Sequence, residues 1–360
     1  MRKEADNKIV DNEDKLKFHT GKVSIIAFSH VAHDIYPAFL APLLPLLIEN
    51  LSLSYSLGGV LIMLLRFPSV LNPLFGIISD KFGLKFFVIV TPFLTGLAMS
   101  FVPVIDNFYL LCAVLLLAGL SSAAYHVPGP VIIRYYSGSR LGTGMSFFML
   151  AGESARTLGP LIILGFIGWL GAENSYMLAS IGLVASVIIY FQLRNVETEK
   201  PGRKKNHIRG MIDMIRQFRR LFLVIGGLLL SKSFIVIALT SFLPTFLTNR
   251  GEKLWIAGIS LSVLELAGAA GAFTSGTLSD KIGRKNMLLI INVLAPIALL
   301  IFINIHGWWV FPLLIVLGFL VFSATPVLMA LVLENKTDVP ATANSIYMNL
   351  NFVIGSIVTL

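Results

Sequence analysis

Asp34 and His30 lie four residues apart within a long apolar stretch, so a helix places them on one face, one turn apart. A carboxylate beside an imidazole in a low-dielectric setting can take up and release a proton, with the histidine relaying or tuning it. The competing reading is a fixed ion pair of Asp34 with Arg66 or Lys232, which would only tie helices together. Glu153 and Arg156 are three apart and share a face. They form either a self-satisfied pair within one helix or a site where the guanidinium grips a carboxylate or phosphonate bidentately. Lys232 is a second candidate anion contact or the partner of Asp34, and Glu265 either carries a proton or neutralises Lys232. His126 precedes Pro128 and Pro130, where a helix loses backbone hydrogen bonds and bends. It reads equally as a packing residue, and the sequence indicates no metal site and no cofactor.

Each of these groups sits in an element hydrophobic enough to cross a bilayer. Apolar residues make up 56% of the 360 and charged residues only 13%, where a soluble domain carries about a quarter charged. Mean hydropathy is +0.83. Runs of about eighteen or more apolar residues recur from end to end, and the backbone inside a bilayer must then be helical. The runs predict eleven spans, roughly 22–48, 56–79, 86–104, 108–133, 141–168, 175–192, 221–247, 255–278, 287–305, 308–333 and 341–360. An ionisable group at mid-helix costs about 2.5–3.5 kcal/mol or more, so each marks a functional candidate. Asp34 falls about 18 Å along its helix at ~1.5 Å per residue. Arg66, Glu153, Arg156, Lys232, Glu265, His30 and His126 join it to define a polar central cavity.

Charge orients the spans. Of 28 Lys and Arg, 23 fall on one side, two (Arg250, Lys253) on the other, and Arg66, Arg156 and Lys232 inside spans. By the positive-inside rule the basic side, with the N-terminus, faces the cytosol. Trp169, Trp255, Trp308 and Trp309 all land at the outer span ends, the depth indoles prefer. The +9 net charge is therefore membrane topology, not a nucleic-acid surface. Lone Cys112 excludes a disulfide framework. No phosphate-binding Gly-x-x-x-x-Gly-Lys-[Ser/Thr] loop, zinc-protease His-Glu-x-x-His or nucleophile elbow occurs, so no ATP-driven or catalytic reading is supported.

A phrase recurs 200 residues apart: Gly76-Ile-Ile-Ser-Asp80-Lys81-Phe-Gly83-Leu-Lys85 and Gly276-Thr-Leu-Ser-Asp280-Lys281-Ile-Gly283-Arg284-Lys285. Each copy sits between two apolar runs, and Leu44-Pro45…Asn50 pairs with Leu243-Pro244…Asn249. The chain thus reads as two similar halves, an arrangement that in membranes goes with transport. Four segments follow: a cytosolic tail 1–21, a six-helix bundle 22–192, a basic linker 193–220, and a second bundle 221–360. Within the linker, Ile208, Met211, Ile212, Ile215 and Phe218 at helical spacing among Arg209, Arg216 and Arg219 suit a helix on an anionic leaflet, or else a solubilising connection. The second bundle shows five spans and stops at Leu360 inside an apolar run, so a twelfth span is expected beyond it.

Two six-helix halves with G-x-x-x-D-[RK]-x-G-[RK]-[RK] after the second and eighth helices resemble the major facilitator superfamily. Ser29-His30-Val-Ala-His33-Asp34, Tyr125-His126-Val-Pro128, Gly152-Glu153-Ser-Ala-Arg156-Thr-Leu-Gly159-Pro160 and Ser231-Lys232-Ser-Phe234 are similar to its fosmidomycin-resistance group of drug exporters. The chain departs from that pattern at His33, Glu153 and Arg156, and at Leu84 in the first turn. The resemblance implies an all-α polytopic membrane protein of two pseudo-symmetric bundles, the last helix of the second missing from this chain. It implies a secondary transporter, not an enzyme. The expected mode is proton-coupled antiport expelling a small drug-like or anionic compound by alternating access, with import of an organic anion or a non-transporting receptor as alternatives. Expected partners are the substrate, protons and membrane lipids, and the protein is expected to be a monomer in the cytoplasmic membrane. Asp34, His30, Glu153 and Glu265 are then the proton-coupling candidates, and Arg66, His126, Arg156 and Lys232 the substrate contacts. Gly76, Asp80, Lys81 and Gly83, with Gly276, Asp280, Lys281, Gly283 and Arg284, would latch an inner gate.

Overall fold

The computed structural model describes residues 17–72, 74–75, 84–138, 141–194, 216, 219–334 and 340–358, and among these all regular structure is helical. The longer helices are α1 (Thr20–Asp34), α2 (Leu40–Asn50), α3 (Tyr55–Arg66), α4 (Leu84–Phe101), α5 (Phe108–His126), α6 (Pro128–Tyr136) and α7 (Leu141–Leu170), followed by α8 (Leu178–Leu193), α9 (Arg219–Asn249), α10 (Leu254–Ile282), α11 (Arg284–Phe302), α12 (Val310–Glu334) and α13 (Pro340–Val358). Nine segments among the described residues are long and apolar enough to cross a membrane, and Tyr55–Leu71 and Asn349–Val358 are shorter apolar helices. The protein is a multi-pass membrane protein. Its exposed surface agrees: α8 leaves Ile181, Val184, Val187, Ile188 and Phe191 outward, a face that only lipid would wet. Trp169, Trp308 and Trp309 are 83%, 84% and 72% exposed at span ends, as expected of interfacial indoles.

Prolines set the interruptions. The first span runs from Thr20 to Asn50 but is split by a 3-10 turn at Pro37–Phe39, so α1 ends at Asp34. The fourth apolar run breaks between His126 and Pro128, where Val127 keeps helical dihedrals but Pro128 and Pro130 lack the N–H groups that would continue the hydrogen-bond ladder. Both breaks place an ionisable side chain at a helix end inside the hydrophobic layer.

The chain packs as two compact units. One comprises Met1–Ala38, Leu71–Gly159 and Phe166–Pro201, the other Phe39–Val70, Pro160–Gly165 and Gly202–Leu360. In the first, α4 packs along α8 and α5, and Val23, Ile26, Val88, Tyr125, Ile132 and Phe148 form its core. In the second, α10 lies along α12, with Gly271 and Gly318 allowing contact so close that an added Cβ would run into the Phe319 and Leu264 carbonyl oxygens. This unit also takes in α2, which packs on α9, so the units cut across the chain halves.

The turn Gly76–Gly83, the tail before Lys17 and most of the linker lie outside the described residues. So does the side chain of Asp280 in the second turn, whereas the Gly276 backbone continues α10. Around it, Gly283 takes φ +88° between α10 and α11, and its N–H bonds the Ser279 carbonyl. Arg284 donates to Ser279 Oγ, and Lys281 is exposed.

Candidate functional site

Asp34, at the last position of α1, is 7% exposed, and the three side chains that close on it are all histidines. His30 Nε2 lies 3.1 Å from Oδ2, His33 Nδ1 2.8 Å from Oδ1, and His126 Nε2 3.3 Å from Oδ1. All four residues belong to the first unit. His30 and Asp34 meet because a helix repeats every four residues. His126 arrives because α5 stops at it.

Hydrogen bonds on the outer side fix which ring nitrogens carry protons. The Nδ1–H of His30 donates to the Phe148 carbonyl at 2.7 Å, because a carbonyl can only accept. Its ring also stacks on Phe148, centroids 3.9 Å apart. Ser121 Oγ donates to the Thr91 carbonyl at 3.4 Å, and Thr95 Oγ1 donates to Ser121 Oγ at 2.8 Å. The hydrogen of Thr95 is thereby used, so its oxygen accepts from the Nε2–H of His33 at 3.1 Å. Tyr125 stacks flat on His33, centroids 4.3 Å apart, and is itself held by donating to Ser29 Oγ at 2.8 Å, since Ser29 donates to the Ile26 carbonyl. Two imidazoles thus turn committed N–H groups outward and their other nitrogens onto the two oxygens of one carboxylate. If both rings were neutral, acceptor would face acceptor at 2.8 and 3.1 Å. The inner space therefore calls for protons or another cation.

Thr95 is the far support of this arrangement. Thr95→Val, nearly equal in shape, would leave the His33 N–H buried without an acceptor, at a cost of about 1–3 kcal/mol. The expected result is a lower unfolding temperature in detergent, with Thr95→Ser restoring it. Equal stability of the Val variant would show that His33 does not depend on this bond.

The other candidates divide between two places. Glu153 and Arg156 pair with each other across one turn of α7, and Glu153 Oε2 is left buried without a hydrogen bond; Glu153 is buried, whereas the Arg156 side chain is 38% exposed. The remaining three lie in the second unit. Arg66, ending α3, donates to Thr240 Oγ1 at 3.5 Å and Ser241 Oγ at 3.4 Å on α9. Lys232 on α9 donates to Thr325 Oγ1 on α12. Glu265 on α10 is 4% exposed. Asp34's close partners within its own unit are therefore imidazoles.

The sequence search passed over His33, Thr95, Ser121 and Tyr125 as site residues. Adjacent helical residues do not normally face each other, so His33 beside Asp34 gave no spacing signal. The available clue was hydroxyl groups inside apolar runs, which seek partners on neighbouring helices.

Apolar spans broken by proline, with buried ionisable groups at the breaks, define a polytopic helical carrier. The sequence profile of the Major Facilitator Superfamily matches residues 26–359, and the chain belongs to that family. It is therefore a transmembrane transporter, not an enzyme. It is 24% identical over 318 residues to the fosmidomycin resistance protein of Escherichia coli (strain K12), covering 86% of this chain and 77% of that protein. Against the multidrug resistance protein MdtG of Salmonella paratyphi C (strain RKS4594), identity is 25% over 314 residues, with 82% and 76% covered. Among solved structures, the nucleoside transporter NupG superposes with TM-score 0.71 at 16% identity, covering 94% of this chain and 89% of that one. A D-xylose-proton symporter gives TM-score 0.71 at 14% identity over 95% and 89%. These two likenesses carry the fold alone.

Proposed function

We propose that this transporter is a proton-coupled antiporter that exports a small drug-like or anionic compound across the cytoplasmic membrane by alternating access. The observation that carries the reading is the donor count around Asp34. His30 and His33 have spent their outer N–H groups, so the carboxylate and the inward nitrogens can hold protons that are surrendered together. Family membership and relatives named for fosmidomycin and multidrug resistance support export of a foreign compound. No ATP-binding loop is present in the sequence, so an ion gradient is the fitting energy source.

In this reading His126 and Arg156 are the cargo contacts of the first unit. Arg156 is half-exposed and could exchange Glu153 for an anionic cargo group, which its planar fork would bind bidentately. Arg66 and Lys232 supply positive charge in the second, and Glu265 a further proton acceptor. The halves 22–192 and 221–360 move against each other, the two Gly-x-x-x-Asp turns latch the cytosolic side where the N-terminus lies, and the protein works as a monomer in lipid.

Reconstitution into liposomes holding a pH-sensitive dye tests this. With the proton gradient set in either direction, substrate added on one side should move protons the opposite way. Protons and substrate moving together would establish the importer of organic anions instead. No substrate-dependent pH change with any compound that binds would favour a receptor.

A further inference from the structure

We propose that His30, Asp34 and His126 form a binding site for a divalent transition-metal ion of zinc-like chemistry. One nitrogen from each histidine and one oxygen from Asp34 all lie within 4.8 Å of one another. His30 Nε2 lies 3.1 Å from Oδ2 and His126 Nε2 3.3 Å from Oδ1, so each nitrogen stands about a tetrahedral edge from one of the two carboxylate oxygens. A zinc ion about 2.0–2.1 Å from each ligand gives an edge of roughly 3.3–3.4 Å. Turning the carboxylate to offer one oxygen, or both, and drawing the two nitrogens together from within 4.8 Å would close the set on a metal.

The surroundings are those a metal ligand needs. Histidines that hold metals donate their other ring N–H to a carbonyl or carboxylate, which fixes the tautomer and aims the lone pair. His30 does this through Phe148, and its buried Nε2 makes no hydrogen bond of proper geometry despite its closeness to Asp34. The carboxylate is steadied from behind by His33, which Thr95 and the Tyr125 ring hold in place. Two imidazoles and one carboxylate leave a fourth position for water or a cargo group, as in open zinc sites. The nitrogen-rich set prefers zinc, cobalt or nickel to calcium or magnesium, which take mainly oxygen. His33 and His126 both approach Oδ1, so a metal bound through Oδ2 leaves the His33 contact in place.

The site does not depend on proton coupling, and the two are tested apart. Protein freed of any histidine tag, in detergent without a gradient, is titrated with Co2+ and followed by visible absorption. One equivalent should give the intense bands of a tetrahedral site, erased by Zn2+ and untouched by Mg2+. His126→Gln, at the half-exposed end of α5, should weaken binding about ten-fold or more. His30→Gln should do the same, and His19→Gln and His306→Gln should change nothing. Absence of the bands in the unaltered protein, or equal binding by the His126 variant, overturns the proposal. Substrate-driven proton flux surviving in chelator-treated liposomes while Co2+ fails to bind would sink the metal site alone. Co2+ bound in protein that moves no protons would sink the coupling alone.

Discussion

Asp34→Asn is expected to abolish substrate-dependent proton movement, a fall on the order of 100-fold or more, in protein that remains folded. The carboxylate is the anion on which the histidines close, and both imidazoles with committed outer N–H groups are aimed at it. Asparagine keeps the volume and one acceptor but removes the charge that gathers protons into the inner space. An NH2 group facing one inward nitrogen also satisfies that nitrogen without a mobile proton. Fold should survive because Asp34 ends α1 and its neighbours there, Tyr36 bonding the Leu178 carbonyl at 2.8 Å and the fully buried Phe39, are untouched. The check is dye-reported flux in liposomes beside size-exclusion elution and unfolding temperature in detergent. Unaltered flux in the Asn variant would remove Asp34 from the mechanism.

Gly152→Ala is the second large effect. A Cβ at Gly152 would meet His30 Cε1 at 2.7 Å and Nε2 at 3.1 Å. The ring cannot swing aside cheaply, being pinned by its bond to the Phe148 carbonyl and by stacking on the Phe148 ring. Overpacking of this kind costs about 1–3 kcal/mol. Here that cost falls on the approach of α7 to α1, and hence on the His30–Asp34 distance. Transport should fall by roughly ten-fold for each 1.4 kcal/mol by which the working geometry is disfavoured. Gly168→Ala, in the same helix with nothing within 4 Å of the added atom, is the control. Alanine there should be neutral or stabilise by roughly 0.5–1 kcal/mol. Equal transport by both variants would show that the close approach of α7 to His30 is not needed.

Much of this was legible in the chain. Apolar runs gave the spans, because a bilayer leaves the backbone no alternative to helix. Pro128 gave the break that ends α5 at His126. The four-residue spacing gave His30 and Asp34 one face, and the three-residue spacing gave the Glu153–Arg156 pair. What stayed hidden were contacts between helices distant in sequence. The bond from His33 on α1 to Thr95 on α4 spans 62 positions, and that from His30 to Phe148 on α7 spans 118. No periodicity within one helix reports such distances. Lys232 was equally ambiguous, since a lysine in a span can meet a carboxylate or a hydroxyl, and packing of α9 on α12 supplied Thr325 as one of its partners.

The sequence by itself therefore determined a helical membrane protein, its family, and which ionisable groups must be accommodated inside it. Those follow from the cost of moving charge and bare backbone out of water, which acts residue by residue along the chain. Only the tertiary structure decided that Asp34 is met by three imidazoles, two of them from its own helix and one from α5. A partner is chosen by the packing of helices side against side. That packing turned the outer N–H groups of His30 and His33 onto a carbonyl and a hydroxyl and left their inner nitrogens facing the carboxylate.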